Sequence, residues 1–177
     1  MIEPIVANIP YPNIEDVKKD YKSAKIIWRA YGGLHGEFNL GIQYTRKLLA
    51  NYPSVSKESM QVLLGIALAE FKHLTLLYDL LEKLGAPQQA TMLKSVRREW
   101  VKPPAQYGKN KEKKILLDVL ALELVSIEEH KKTLSMLFNE RVKSVIARII
   151  KDEEMHVQSI ESLLAKYNEQ EYDLLKI

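Results

Sequence analysis

Two Glu-x-x-His motifs stand within strongly apolar stretches of the chain. Glu70 and His73 lie in LLGIALAEFKHLTLLYDLL, and Glu153 and His156 lie in RIIKDEEMHVQSIESLL. Residues three apart on an α-helix are one turn apart on the same side, so this pair of side chains can converge on one metal ion. A single motif occurs by chance on many helices, whereas two in apolar surroundings indicate a metal site.

A further glutamate stands about thirty residues before each motif. Glu37 precedes Glu70, and Glu123 precedes Glu153. The positions three, four and seven away from each of these four glutamates hold mostly apolar residues, which predicts that all four carboxylates point toward the core of a helical protein.

Four buried carboxylates need compensating positive charge. An ionised carboxylate buried without a partner costs several kcal/mol, and no Lys or Arg occupies the positions one turn from these glutamates. Two divalent cations would balance four carboxylates, with two neutral imidazoles completing the ligands. A Glu from each of two helices with a Glu-x-x-His from each of two others is the arrangement of di-iron and di-manganese carboxylate bundles. The pattern therefore predicts two metal ions held by Glu37, Glu70, His73, Glu123, Glu153 and His156.

Other polar residues near these ligands differ in the roles that their positions indicate. Tyr44 and His130 each follow an inward glutamate by seven residues and are our candidates for catalytic groups behind the ligands. Tyr44 is interpreted first as a packing residue with its hydroxyl satisfied; the alternatives are a hydrogen bond to a ligand carboxylate and a role as a redox-active phenol. His130 is interpreted as a core or supporting histidine rather than a ligand. Asp152 and Glu154 are expected on a solvated face, because each lies about 100° around the helix from its ligand neighbour. His35 is expected outside the site.

Four long helical segments must position these residues. Their periodicity places them at about 23–51, 56–84, 111–138 and 140–167. The halves share the same order of an inward glutamate, a polar residue seven positions later and a Glu-x-x-His, which indicates a repeated helical hairpin with pseudo-twofold symmetry.

The connection between the halves, residues 85–110, is far longer than the two to eight residues usual between antiparallel helices. A helix of about 28 residues is about 42 Å long, so this connection is long enough to run the length of a bundle. The predicted fold class is all-α, a four-helix bundle of two helical hairpins joined by one long crossover. Residues 1–22 are predicted as an N-terminal arm packed on the bundle or on a partner subunit, and residues 23–177 as the bundle.

Composition excludes several functions. The 177 residues include no Cys, which rules out disulfides, an iron–sulfur centre, a rubredoxin-type iron site and a thiol nucleophile. The N-terminal sequence does not resemble a signal peptide, and no stretch approaches about 18 uninterrupted apolar residues. We therefore expect a cytoplasmic protein without a membrane partner. A net charge of +3 is too small to indicate nucleic-acid binding.

The motifs in this order and apolar context resemble the ferritin-like superfamily, and within it rubrerythrin-like and manganese-catalase-like dimetal carboxylate proteins without a rubredoxin domain. The resemblance is carried by YGGLHGEFNLGIQY, IALAEFKHLTLLYDLLEKLGA, LDVLALELVSIEEHKKTL and RIIKDEEMHVQSIESLL. It implies the same six ligands, with Glu70 and Glu153 closest to both ions and Glu37 and Glu123 as terminal ligands. It also implies Fe or Mn as the metal, a homo-oligomer such as a dimer, and oxidoreductase activity on hydrogen peroxide or dioxygen.

Departures from the family narrow this expectation. Bacterioferritins bind haem through a Met where Phe71 stands here, so no haem is expected. Rubrerythrins often have a second Glu where Ser126 stands, and their four-Cys iron site has no counterpart, so a peroxidase would need an external electron donor. The leading expectation is a rubrerythrin-like peroxidase or ferroxidase. The alternatives are a manganese catalase, and an iron-handling or structural coat or scaffold bundle without enzymatic turnover.

Overall fold

The computed structural model describes residues 2–51, 55–86 and 110–174. The described residues form five helices, α1 (Tyr21–Gly32), α2 (Glu37–Asn51), α3 (Lys57–Leu84), α4 (Lys111–Met136) and α5 (Glu140–Leu174). No strand occurs among these residues. Helices α1 and α2 together take the place of the first helix of a four-helix bundle, and α3, α4 and α5 are the other three. The predicted all-α four-helix architecture is confirmed.

The first predicted helix is wrong in one respect, because the chain breaks it into two. Helix α1 ends at Gly32, and residues 33–36 turn before α2 begins at Glu37. The Gly33 N–H donates to the Arg29 carbonyl at 2.9 Å. A Cβ at Gly33 would lie 2.3 Å from that carbonyl oxygen, and one at Gly36 would lie 2.6 Å from the Ala30 oxygen. Only glycine permits this close backbone approach, and the turn makes Glu37 the first residue of a new helix.

Capping interactions fix both ends of α3, the second of the four predicted helices. Ser56 caps the N-terminus of α3 by accepting from the Ser59 N–H at 3.2 Å. Gly85 ends the same helix in the left-handed conformation, with φ of 78°. Most of the predicted crossover, residues 87–109, lies outside the described residues, as do residues 52–54 between α2 and α3.

Two apolar clusters fill the two ends of the bundle. One joins α1, the C-terminal half of α3 and the N-terminal half of α5, with Ile27, Leu80 and Ile146 among its fully buried residues. The other joins α2, the N-terminal halves of α3 and α4 and the C-terminal part of α5, around Leu40 and Ile66. The predicted ligands lie between the two clusters, so apolar packing on both sides keeps water from the centre of the bundle.

Helix α3 is also long and apolar enough to cross a membrane if judged by length and composition alone. Half of its most apolar window is buried inside the bundle. Packing in the core therefore accounts for the buried half of this window.

The segment before α1 lies across the outside of α3 and α5. We call residues 3–11 the N-terminal strap. The Ile5 N–H donates to the Gly65 carbonyl of α3 at 3.0 Å, and the Arg148 side chain of α5 donates from Nε to the Ile9 carbonyl at 2.8 Å. The division of the chain into an arm of residues 1–22 and a bundle of residues 23–177 stays a prediction.

We predict that Asn39 stabilises the break between α1 and α2. Its fully buried side-chain amide donates to the Gly33 carbonyl at 2.5 Å and so ties the end of α1 to the start of α2. Replacing Asn39 with Ala should lower the free energy of unfolding by about 0.5–1.5 kcal/mol, because the side-chain hydrogen bond that ties α1 to α2 is lost while the Gly36 N–H still donates to the half-buried Gly33 carbonyl. Urea denaturation measures this change. Gln43→Ala, at a half-buried position one turn further along α2, is the matched control, and an equal loss in both variants would contradict the prediction.

Candidate metal centre

The structure brings all six predicted ligands together in the middle of the bundle. Each is fully buried. Their donor atoms form two sets, each with atoms within 4.8 Å of one another. The first set is Glu37, Glu70, His73 and Glu153, and the second set is Glu70, Glu123, Glu153 and His156. Glu70 and Glu153 belong to both sets, the arrangement that the family resemblance implied for carboxylates closest to both ions.

In the first set, the donors converge on one side of the His73 ring. Its Nδ1 lies 3.4 Å from Glu153 Oε1, 3.6 Å from Glu37 Oε2 and 3.7 Å from Glu70 Oε2. Donors that share one ion at about 2.0–2.2 Å lie about 3–3.5 Å apart in tetrahedral or octahedral geometry. These separations therefore leave room for one ion after a small contraction.

The second set repeats this geometry around the other histidine. The His156 Nδ1 lies 3.3 Å from Glu123 Oε2, 3.5 Å from Glu70 Oε1 and 3.8 Å from Glu153 Oε2. The two oxygens of Glu70 thus approach different histidines, and so do the two oxygens of Glu153. A carboxylate placed in this way can bridge two ions.

The donor atoms that face the centre lack other partners. Within the described residues, both carboxylate oxygens of Glu70 and of Glu153 are buried without a hydrogen bond, and so are Glu37 Oε2 and His73 Nδ1. Buried polar atoms are almost always satisfied in folded proteins. Because the unsatisfied atoms are oxygen and nitrogen donors that converge, the residues present fit two bound metal ions.

The outer nitrogen of each ligand histidine contacts a different kind of acceptor. The Nε2 of His73 lies 3.0 Å from Asp152 Oδ2, and the Nε2 of His156 lies 2.9 Å from the main-chain carbonyl oxygen of Ile5. A carbonyl can only accept, so the hydrogen of His156 lies on Nε2. Such contacts orient a ligand histidine and leave Nδ1 for a metal.

The expectation that Asp152 lies on a solvated face was wrong. Its side chain is fully buried, and besides His73 it accepts from the Ala7 N–H at 2.6 Å, from the Tyr11 hydroxyl at 2.5 Å and from Arg148. The strap covers this face of α5 and supplies two of the donors. Arg148 is four residues before Asp152, a spacing for helical ion pairs that was visible in the sequence.

Glu154 lies on the outside of the bundle, as expected. It is half-exposed and pairs with Lys151 at 2.6 Å. It therefore provides a control carboxylate on the same helix as two of the ligands.

Tyr44 and His130 contact Glu123 and Glu37, the two glutamates that each belong to only one of the two sets. The Tyr44 hydroxyl on α2 donates to Glu123 Oε1 on α4, and the His130 Nε2 on α4 lies 2.6 Å from Glu37 Oε1 on α2. Each residue thus supports the glutamate from the opposite hairpin. Their catalytic role stays a prediction.

A cavity of about 540 Å³ opens at the break between α1 and α2. Arg29, His35 and Lys132 line it, and it extends to His130. His35 thus lies outside both ligand sets, as expected.

Without metal, burial and mutual repulsion disfavour the charged forms of Glu70 and Glu123. Burial raises the pKa of Glu70, and repulsion from Glu153 and Glu37 moves it further above its usual range. Burial and the charge of Glu153 likewise raise the pKa of Glu123 to about 8. Burial opposes the charging of His156, but attraction to Glu123 outweighs this effect and raises its pKa to about 10. At neutral pH these three side chains therefore hold protons when no metal ion is bound.

We predict that Glu70→Gln separates folding from metal binding. A raised carboxyl pKa means that the folded state binds more protons than the unfolded state above about pH 4.5, so the native Glu70 lowers stability as the pH rises. Gln should raise the free energy of unfolding of the metal-free protein by roughly 1 kcal/mol at pH 7 and by almost nothing at pH 4.

The same variant should lose at least one bound metal ion with unchanged helix content. Circular dichroism with urea measures the stability, and elemental analysis measures the metal. Glu154→Gln is the control. Unchanged metal stoichiometry in Glu70→Gln would contradict the assignment of the site.

We also predict that metal binding releases protons. Each ligand histidine must lose the proton on Nδ1 before this atom can bind an ion, and the raised pKa of His156 holds that proton at pH 7. The apparent affinity for Mn²⁺ should therefore increase from pH 6 to pH 8. Calorimetry in buffers of different ionisation enthalpy counts the released protons, and a pH-independent affinity would contradict the prediction.

Comparison with known proteins places this geometry in a known fold. No protein-family model and no curated protein sequence matches the chain. Two solved structures are similar, one of wild-type KatB, a manganese catalase from Anabaena, and one of KatB from Anabaena PCC7120. Each has a TM-score of 0.67 and 18% sequence identity over 92% of this chain and 80% of the other. The chain thus has the fold of these manganese catalases, which confirms the expected ferritin-like bundle.

Proposed function

We propose that this protein is a dimetal oxidoreductase that disproportionates hydrogen peroxide, 2 H₂O₂ → O₂ + 2 H₂O. One observation carries the proposal. The two oxygens of Glu70 and the two oxygens of Glu153 each approach different histidines, which prepares the bundle to hold two ions side by side. Two bound redox metals, each able to change by one electron, would supply the means to pass two electrons from one peroxide molecule to the other.

The six ligand residues would hold the two metal ions. Carboxylate oxygens and imidazole nitrogens suit both Fe and Mn, so the donor set alone does not choose between them. Mn is proposed because the similar solved structures are manganese catalases. Disproportionation also suits a chain without Cys, since one peroxide molecule supplies the electrons that reduce the other.

The residues behind the ligands are placed to handle protons. Oxidation of one peroxide to dioxygen releases two protons, and reduction of the other to water consumes two. The Tyr44 hydroxyl contacts Glu123, and His130 Nε2 contacts Glu37. Each of these contacts can hold a proton at a ligand carboxylate between the two half-reactions.

A second candidate is a donor-dependent peroxidase or ferroxidase. The contact between Tyr44 and Glu123 favours it, because a phenol beside a ligand carboxylate can relay one electron from an external donor.

Homodimer formation and a cytoplasmic location also stay predictions.

Elemental analysis and an oxygen electrode test the proposal. Protein purified without added metal should contain two Mn per chain and release one O₂ for every two H₂O₂ without a donor. Glu37→Gln should lower this activity at least tenfold, because a second-set ion would remain without its neighbour, whereas Glu154→Gln should retain it. Fe content with donor-dependent loss of peroxide would favour the second candidate, and a protein without bound metal after reconstitution would contradict both.

A further inference from the structure

The N-terminal strap lies behind both ligand histidines, in direct contact with His156 and linked to His73 through Asp152. The Ile5 carbonyl accepts from His156 directly at 2.9 Å. Two further strap groups, the Ala7 N–H and the Tyr11 hydroxyl, donate to Asp152, the carboxylate behind His73. The strap therefore supports one histidine itself and the other through Asp152.

The two halves of the bundle receive the strap in different ways. The positions five and one before the motif glutamate are Gly65 and Ala69 in the first half, and Arg148 and Asp152 in the second. In the first half, the small residues let the strap main chain approach α3. A Cβ at Gly65 would lie 2.9 Å from Ile5 Cγ1 and 3.0 Å from the Glu3 carbonyl oxygen.

In the second half, the charged side chains of Arg148 and Asp152 occupy the matching positions and bind the strap. Arg148 donates from Nε to the Ile9 carbonyl and from Nη2 to the Ala7 carbonyl, each at 2.8 Å. Its guanidinium also lies over the Tyr11 ring, 4.3 Å from the centroid. The bundle thus supplies its own acceptor to His73, whereas His156 depends on a carbonyl from the strap.

We propose that the strap is a positioning element of the metal centre, and that Ile5 and Asp152 set the affinities of the two metal sites separately. The inference rests on the proposed dimetal function. Loss of the Ile5 carbonyl would free the His156 ring to rotate and would weaken the second set. Loss of the Asp152 carboxylate would weaken the first set. Removing an outer partner of a ligand histidine typically costs 10–100-fold in metal affinity.

Coupling between strap and metal must act in both directions. If the docked strap raises the affinity for an ion, the bound ion raises the stability of the docked strap by the same factor. Hydrogen exchange in the strap should therefore slow when metal binds, although no strap side chain is among the six ligands.

Two substitutions in the full-length chain separate the two contacts. Gly65→Leu forces the strap main chain at Ile5 away from α3 without lowering helix propensity, whereas the Arg148 side chain still holds the later part of the strap against Asp152. Asp152→Asn keeps the shape behind His73 but removes the charge. Ala121→Leu, which adds a leucine side chain at an exposed position of α4, is the control for Gly65→Leu. Glu154→Gln is the control for Asp152→Asn.

Calorimetric titration of each metal-free protein with Mn²⁺ gives the first result. We expect two ions in wild type, about 10–100-fold weaker binding of one ion in Gly65→Leu, and an equal loss for the other ion in Asp152→Asn. Adding Gly65→Leu to His156→Ala should cause no further loss, because the histidine that the strap orients is already absent. In His73→Ala the loss caused by Gly65→Leu should persist.

Hydrogen exchange of the peptide spanning residues 2–11, with and without Zn²⁺, gives the second result. We expect slower exchange with Zn²⁺ in wild type and in the controls, and fast exchange in Gly65→Leu. Two ions bound with unchanged affinities in Gly65→Leu, together with fast strap exchange, would overturn the role of the strap alone. A wild-type protein that binds neither Mn²⁺ nor Zn²⁺ would instead overturn the proposed function.

Discussion

The burial of four carboxylates in one apolar bundle is the constraint on which the rest of this structure depends. Glu37, Glu70, Glu123 and Glu153 are fully buried, and their mutual repulsion must be offset by cations or protons. Apolar clusters at both ends of the bundle supply the stability that such a centre lacks. The fold therefore places its unfavourable charges where packing on either side holds four helices at fixed distances.

The carboxylates respond unequally to this constraint, and local structure explains the difference. Glu37 is the first residue of α2, where the helix dipole favours a negative charge, and contacts with Glu70, His130 and His73 outweigh its burial and lower its pKa to about 2. Glu70 lies in the middle of α3 between two other carboxylates, and its pKa rises. The break at residues 33–36 thus creates an ionised terminal ligand beside a shared ligand that readily holds a proton.

Sequence periodicity was sufficient to identify the fold and the six inward side chains, because each inward position is set by residues one turn away on the same helix. It was insufficient for features that depend on distant parts of the chain. The Ile5 carbonyl lies 151 residues from His156, and a main-chain atom leaves no signature in the sequence. The helical periodicity placed Asp152 on a solvated face, because the segment that covers it is equally remote in the sequence. Arg148 one turn earlier and the small Gly65 on α3 were signs of a close neighbour. Gly33 and Gly36 were likewise visible in the sequence. They break the first predicted helix because their main chain approaches the carbonyls of α1 closely, which the spacing of apolar residues does not reveal.

Pseudo-twofold symmetry explains why the ligands match while their supporting groups do not. Both hairpins supply an inward Glu and a Glu-x-x-His, so each of the two sets has one histidine and one glutamate of its own besides the shared Glu70 and Glu153. The groups behind them are free to differ, and they do: a phenol supports Glu123, an imidazole supports Glu37, a carboxylate supports His73 and a carbonyl supports His156. Outer partners tune the basicity of a ligand, so the two ions would meet unequal fields. In the proposed disproportionation one half-reaction releases protons and the other consumes them, and the phenol behind Glu123 and the imidazole behind Glu37 offer groups of different basicity for these two tasks.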